Sequence, residues 1–255
     1  MILPKFSIIT VVFNNEATIA DTVRSVSMQT YSNIEYLIID GQSTDGTLER
    51  IKDSGGTVTN LISEPDGGIY DAMNKGLALA SGEFIGFINA DDFYPSATVL
   101  SKVAEAFEKS GADSCYGDLC YVRQAEPIRI VRYWRSKKFM SGAFEKGWCP
   151  PHPTFFVRRS VYERLGGFDL SFKIAADVEL MARYLAASRI STQYIPEVLV
   201  KMRLGGTTNR SLSNIFKQNV EIRRALFKNG LHSSLVSFVL NKLVTRAIQF
   251  VSRPS

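Results

Sequence analysis

The strongest constraint on this chain is the alternation, over its first ninety residues, of short buried-strand patterns with helical ones. Phe6 to Phe13 (FSIITVVF) is a β-branched apolar run without a polar face, the pattern of a strand covered on both sides. Asn14-Asn15-Glu16 interrupts it, and Ile19, Val23 and Val26 then recur at helical spacing. Ile34 to Ile39 is a second such strand, ended by Asp40-Gly41-Gln42-Ser43-Thr44-Asp45-Gly46, a cluster that makes a turn and then starts a helix. A short helix around Leu48 and Ile51, a third strand near Thr59 to Ser63 and a helix from about Ile69 to Ala80 follow. The fourth strand, Phe84 to Ile88, runs directly into Asn89-Ala90-Asp91-Asp92. This spacing predicts an α/β fold with a doubly wound, mostly parallel central sheet flanked by helices. Such sheets bind ligands beyond the carboxyl ends of their strands, where Asp40 and Asp91 fall.

Composition narrows the chemistry. A chain of 255 residues, 45% hydrophobic and 22% charged, is an ordinary globular protein able to bury a sizeable core. Two histidines exclude a His-rich metal site, so any metal is held mainly by carboxylates, which suits a hard cation such as Mg²⁺ or Mn²⁺. The three cysteines show no paired ligand spacing and fit a reducing compartment. Met1 to Lys5 leads into a strand without a secretory pattern, and no apolar run reaches membrane-spanning length, so a cytoplasmic protein is expected. A net charge of +5 suits a phosphate-bearing ligand, an anionic membrane or nucleic acid alike. No nucleic-acid motif accompanies it, and there is neither a Walker loop nor a Gly-x-Gly-x-x-Gly fingerprint, which argues against nucleic acid, NTPase and dehydrogenase readings.

An Asp-Asp pair after a strand could simply cap a helix. Here it closes an ordered set: Phe13-Asn14-Asn15-Glu16, Asp40 to Gly46, Gly68-Ile69-Tyr70-Asp71-Ala72-Met73-Asn74-Lys75-Gly76, and Ser81-Gly82-Glu83 before the metal strand. Together these resemble the donor half of glycosyltransferase family 2, closely from Phe6 to about Asp92 and more loosely to about Arg203. The resemblance implies a GT-A fold whose "DxD" metal run is Asn89-Ala90-Asp91-Asp92, with asparagine replacing the first aspartate. It makes Asp91 a ligand of Mn²⁺ or Mg²⁺, and Asp92 a second ligand or an orienting group. It places Asp40 on the nucleotide base and Val12 and Phe13 along the base pocket. By their own positions, Asn74 and Lys75 near a helix are expected to reach the diphosphate, and Arg203 before Gly205-Gly206 to close over it. Glu16 either bonds within the pocket or supports its loop. UDP is the favoured nucleotide, since a carboxylate can accept from a uracil imide N–H.

A second constellation is Ala175-Ala176-Asp177-Val178-Glu179. An attacking sugar hydroxyl needs a base beside it, and Asp177 matches the position of the family's catalytic base. The family often has an acid immediately before it; here that residue is Ala176. Pro151-His152-Pro153-Thr154 and Gly166-Gly167-Phe168-Asp169 are further family landmarks, with His152 either touching acceptor or donor phosphate or buried and hydrogen-bonded. The expected layout is a transferase domain over 1–208, split into a donor half (1–111) and an acceptor half (112–208), followed by a helical extension over 209–255. After Glu221 that extension has no acid but six Lys and Arg, with an apolar stripe from Leu235 to Val251. A basic amphipathic helix suits an anionic membrane surface, or it packs on the domain or on a second subunit as a homodimer. The resemblance implies an inverting glycosyltransferase using a nucleotide-diphosphate sugar and a saccharide or lipid-linked saccharide acceptor. Its setting would be bacterial surface-polysaccharide assembly at the inner face of the cytoplasmic membrane. The alternatives are a catalytically silent nucleotide-sugar binder or scaffold and a metal-dependent nucleotidyltransferase.

Overall fold

The computed structural model describes residues 3–124, 129–205 and 212–232, together with Phe238, Asn241 and Gln249. The first half alternates as its apolar pattern dictates. The strands are β1 (Phe6–Val12), β2 (Ile34–Asp40), β3 (Asn60–Ser63) and β4 (Phe84–Phe87), and the helices are α1 (Ile19–Ser27), α2 (Thr47–Asp53) and α3 (Ile69–Leu79). These strands pair in parallel in the order β3-β2-β1-β4. Every residue of β1 is buried because the two-residue period of the strand sends alternate side chains to opposite covered faces. Ile9, Val11, Leu37 and Ile39 join one core cluster with Tyr70 and Met73 of α3. Phe6, Ile8, Val12, Tyr36 and Ile38 join another with Ile19, Val23 and Val26 of α1.

The second half extends the same sheet but changes its rule. A two-residue strand β5 (Asp92–Phe93) and a helix α4 (Val99–Ser110) lead to β6 (Ser114–Val122) and β7 (Ile130–Trp134). Next come β8 (Phe156–Arg158), α5 (Arg159–Leu165), α6 (Ala176–Met181), β9 (Thr192–Arg203) and α7 (Leu212–Lys228). Among the described residues the sheet has nine strands. β8 runs antiparallel to both β4 and β6, so the parallel pairing of the donor half gives way to a mixed sheet beyond β4. α4, β8 and β9 are elements that the strand–helix pattern alone leaves unassigned.

β9 positions the site. It runs parallel to β6 along most of its length, and its last residues pair antiparallel with β5, setting Asp92 against Met202. The acceptor half is thereby stitched to the turn that carries the acidic pair. α6 passes into a π-helical stretch, Ala182–Ala187, and packs against α7, whose Ile222, Ala225 and Leu226 are buried. Gly230 lies at φ +72° just past the end of α7, the left-handed position that stops a helix. The expected apolar stripe beyond it lies outside the described residues. Of that segment, Phe238 is buried in the core and Gln249 accepts a hydrogen bond from Arg132 Nε at 2.6 Å, so these two residues pack on the acceptor half.

Candidate active site

Three loops after strand ends interlock on the carboxyl side of the parallel sheet. The β1–α1 and β2–α2 loops exchange hydrogen bonds. Asn14 N–H donates to Ser43 Oγ (2.8 Å), Thr44 N–H to Asn14 Oδ1 (2.8 Å), Asn15 N–H to Thr47 Oγ1 (2.7 Å) and Gly46 N–H to Glu16 Oε2 (2.9 Å). Asn14 and Gln42 take left-handed φ values of 47° and 64°, a conformation asparagine tolerates better than most residues. Glu16 therefore supports the loop. Asp40 is fully buried, with carboxylate oxygens accepting from Ser43 N–H (3.0 Å), Ser43 Oγ and Ser63 Oγ (2.6 Å). Its charge ties β2, its own turn and β3 together. Val12 is also buried and gives its carbonyl to Gly41 N–H, leaving Phe13, 62% exposed, as the apolar surface at the mouth of β1.

The β4–β5 turn is fixed from below. Thr22 Oγ1 of α1 lies 2.9 Å from the Ala90 carbonyl and 2.7 Å from the Asp92 carbonyl. Arg203, at the end of β9, donates from Nη1 to the Asp91 carbonyl (3.0 Å) and from Nη2 to Asp21 Oδ2 (2.5 Å). It is 4% exposed, so this guanidinium holds the turn and does not lie open over the crevice as the sequence suggested. Asn89 donates to Asp92 Oδ2 at 2.9 Å, which gives the departure from an acidic first position a local role. Asp92 is fully buried, and its other oxygen has no partner among the described residues. Asp91 is partly exposed.

Both carboxyls are hard to ionise here. Burial raises the Asp91 carboxyl above its ordinary range despite the nearby charges of Arg203 and His152. Burial, and then the neighbouring Asp91 charge, push Asp92 well above it. No group of three or more His, Cys, Asp or Glu converges on one point among the described residues. The fit to a hard divalent cation rests on the unpartnered buried oxygen of Asp92 beside the open carboxylate of Asp91. Two carboxylates with free oxygen lone pairs suit such an ion, whose other positions would be filled by phosphate oxygens and water.

In the acceptor half, Asp177 lies in the first turn of α6. His152, which opens a 3₁₀ turn (His152–Thr154), places Nδ1 3.0 Å from Asp177 Oδ2. Tyr70 of α3 lies with its hydroxyl 2.8 Å from the Ile174 carbonyl and 3.2 Å from Asp177 Oδ1. Burial pushes the Asp177 carboxyl up, but the charge and hydrogen bond of His152, with the Val178 N–H and Tyr70, outweigh it and leave it lowered. Tyr70 was not singled out in the sequence. The available signal was its i,i+4 spacing to Asn74, which turns both side chains toward the acceptor half.

Asn74 is a clamp. Its amide donates to the Phe168 carbonyl and accepts from Phe168 N–H, both at 2.8 Å. A Cβ on Gly167 would sit 2.4 Å from Asn74 Oδ1, so only glycine fits beneath that clamp. Lys75 reaches the β3–α3 loop, bonding the Pro65 carbonyl (2.7 Å) and pairing with Glu64 (2.8 Å). Both side chains are thus engaged by protein groups in this arrangement. The buried Glu179 pairs with Arg183, whose guanidinium also bonds the Leu165, Gly166 and Gly167 carbonyls, and Asn229 of the α7 end reaches Glu179 at 3.2 Å. Glu221 of α7 accepts from the N–H groups of Lys173, Ile174 (2.7 Å) and Ala175 (3.0 Å), fixing the loop that enters α6.

Residues 7–166 match the family model described as glycosyl transferase family 2. The chain belongs to that family. It is similar to an uncharacterized glycosyltransferase of Mycobacterium tuberculosis, 33% identical over 190 residues that cover 71% of this chain and 68% of the relative. It is also similar to a PGL/p-HBAD biosynthesis glycosyltransferase of Mycobacterium bovis, 28% identical over 89% of this chain and 88% of that one. Among solved structures, S. aureus TarS 1-349 in complex with UDP-GlcNAc superposes with a TM-score of 0.66 at 15% identity, covering 94% of this chain and 73% of that chain. A mannosyltransferase from Pyrobaculum calidifontis in complex with GDP-Man and Mn²⁺ gives 0.60 at 19% identity, covering 98% and 81%. The structural likeness shows the GT-A-type fold, a curled α/β sheet flanked by helices.

Proposed function

We propose that this glycosyltransferase moves one sugar, with inversion, from a nucleotide-diphosphate sugar to a hydroxyl of a saccharide or lipid-linked saccharide. The observation that carries this reading is the closeness of two groups: Asp91 beside Asp92, and Asp177 paired with His152, whose ring lies near enough to Asp91 for a charge on it to act there. The donor is read as a UDP-sugar, in line with the ligand of the TarS complex, with Phe13 as the apolar surface beside the base. Val12 and Asp40 shape that pocket from behind. Asp91, steadied by Asp92, would hold Mn²⁺ or Mg²⁺, the former being the ion bound in the mannosyltransferase complex. When bound, such an ion stabilises the negative charge that grows on a departing diphosphate. On the opposite side, the Asp177–His152 pair takes the proton of the attacking hydroxyl.

Surface-polysaccharide or glycolipid assembly at a membrane is the setting we infer, in line with the PGL/p-HBAD biosynthesis role of the Mycobacterium bovis relative. No described helix is long and apolar enough to cross a membrane. α7 instead presents Phe216 (71% exposed), Val220 (52%) and Phe227 (72%) outward beside Lys217 and Arg223. Interleaved aromatic, aliphatic and cationic side chains suit the interface of an anionic bilayer, with a second copy of the chain as the competing occupant.

The test is thermal melting with UDP-glucose, UDP-N-acetylglucosamine and GDP-mannose, each with and without Mn²⁺, followed by release of nucleotide diphosphate. A metal-dependent rise in melting temperature and metal-dependent release are expected. Absence of both with every donor rejects the reading.

A further inference from the structure

Asp177 matches the family's base in sequence, but the geometry points to a different proton-accepting atom. We propose that His152 Nε2 receives the proton of the attacking hydroxyl, with Asp177 holding the imidazole in place. This rests on the transferase reading above.

The carboxylate is already engaged at both ends. Oδ2 meets His152 Nδ1 at 3.0 Å, and Oδ1 lies 3.2 Å from the Tyr70 hydroxyl. Its side chain is 17% exposed, against 32% for His152. A neutral imidazole that bonds a carboxylate through Nδ1 carries its proton there, so Nε2 keeps a free lone pair. Among the described residues nothing hydrogen-bonds Nε2. The backbone beneath the ring is fixed: Phe155 N–H donates to the His152 carbonyl at 3.0 Å, and Thr154 bonds the main chain of Gly117 in β6.

The ring is also close enough to Asp91 for a charge on it to act on that carboxyl. Asp177 stabilises the imidazolium that forms as the proton arrives, as a buried carboxylate does in other carboxylate–histidine pairs. In the step, the O–H bond of the acceptor breaks and its electron pair forms the new bond to the anomeric carbon. The bond from that carbon to the diphosphate oxygen breaks, and its pair leaves with the nucleotide diphosphate. The proton ends on Nε2.

The experiment uses the full chain with Mn²⁺ and whichever of UDP-glucose or UDP-N-acetylglucosamine it hydrolyses, water serving as the acceptor. His152→Gln should lower UDP release on the order of 10²-fold while leaving the affinity for UDP within twofold. In His152→Ala, added imidazole should restore release, and 4-methylimidazole, imidazole and 1,2,4-triazole should rescue in the order of their basicity. A loss below tenfold in His152→Gln overturns the proposal, as does rescue independent of basicity. A parallel fall in UDP affinity also overturns it, because the ring would then be acting on the diphosphate. Thermal melts of both variants separate these outcomes from misfolding. A wild-type chain that neither binds nor hydrolyses any donor sinks the transferase reading itself; an active wild type with an indifferent His152 sinks only this assignment.

Discussion

The two halves of the molecule use their polar side chains differently. In the donor half most of them face one another. Glu16, Asn14, Asp40, Ser43 and Ser63 hydrogen-bond from loop to loop, while Asp91 stays partly exposed beside the unpartnered, buried oxygen of Asp92. In the acceptor half, the buried Asp118 and Glu179 are likewise satisfied, by Tyr133, Ser136 and Tyr194 and by Arg183. There, however, His152 keeps one ring nitrogen free above a carboxylate that fixes the other. The lesson is that the donor half builds a rigid shape around one acidic pair, whereas the acceptor half holds one titratable atom ready. Predictions that test this division concern which residues alter turnover, which alter stability and which alter neither.

The largest effect is expected at the acidic pair. Asp91→Asn should cut metal-dependent release of nucleotide diphosphate on the order of 10³-fold, the scale of losing a charge aimed at a leaving group. It should melt no lower than wild type, because it removes a carboxylate that burial makes costly to ionise. A release rate within tenfold of wild type would break the division by showing that the acidic pair is a cap.

A smaller effect is expected from the loop that leads to Asp177, the residue that holds the imidazole. Glu221→Gln keeps one amide oxygen for the N–H groups of Lys173, Ile174 and Ala175 but loses the charge that all three share. Turnover should fall about tenfold, as expected when a reacting group shifts slightly, with donor affinity unchanged. If affinity falls and turnover does not, α7 serves the donor site and the two halves are not separable in this way.

Glu35 offers the opposite contrast, a charge that matters to stability alone. It lies at the amino end of β2, away from the crevice, and accepts from Lys5, Ser7 and Ser81. Burial raises its carboxyl, but these donors outweigh it and hold the group at about 2, below an ordinary 4.5. A lowered folded value means that the stabilisation is fully present above about pH 4.5 and is lost as pH falls toward 2. Glu35→Gln should therefore lose on the order of 2 kcal/mol at pH 7, discounted for solvent screening, and approach wild type below pH 3. Turnover per folded molecule should not change; denaturant melts at the two pH values and an activity assay check both parts.

The same contrast explains what could be read from the sequence. β1, β2 and β4 were legible because a parallel strand buried on both faces leaves an unbroken apolar run. β9 was not, since the buried positions of Thr192–Arg203 follow no two-residue alternation and the strand is placed by β6 and β5. α4 carried a readable signal in Val99, Leu100, Val103 and Phe107, but no motif drew attention to it. Asp40, Asp91 and Asp177 were legible as positions because strand and helix ends mark them. Their partners were not, because Arg203 beneath Asp91, His152 beside Asp177 and Asn74 beneath Phe168 are contacts that only the folded packing creates.

Lys75 gives the smallest expected effect and the sharpest check on that last point. In sequence, a lysine one turn into a helix behind Gly67-Gly68 invites assignment to an anion. In the folded chain its ammonium bonds the Pro65 carbonyl at 2.7 Å and Glu64 at 2.8 Å, with Asp71 at 3.9 Å. The hydrogen bond to Glu64, followed by the charges of Glu64, Asp71 and Asp66, raises its affinity for the proton, so it stays charged while turned toward its own loop. An exposed pair of this kind contributes little, and a diphosphate would have to draw the lysine away from three acids to use it. Lys75→Ala should therefore leave UDP affinity within about twofold, measured by titration at low salt, where any electrostatic contact is strongest. A drop of tenfold or more would mean that the β3–α3 loop rearranges when donor binds. The donor half would then be an adaptable site, and its loop-to-loop hydrogen bonds would describe only the ligand-free form.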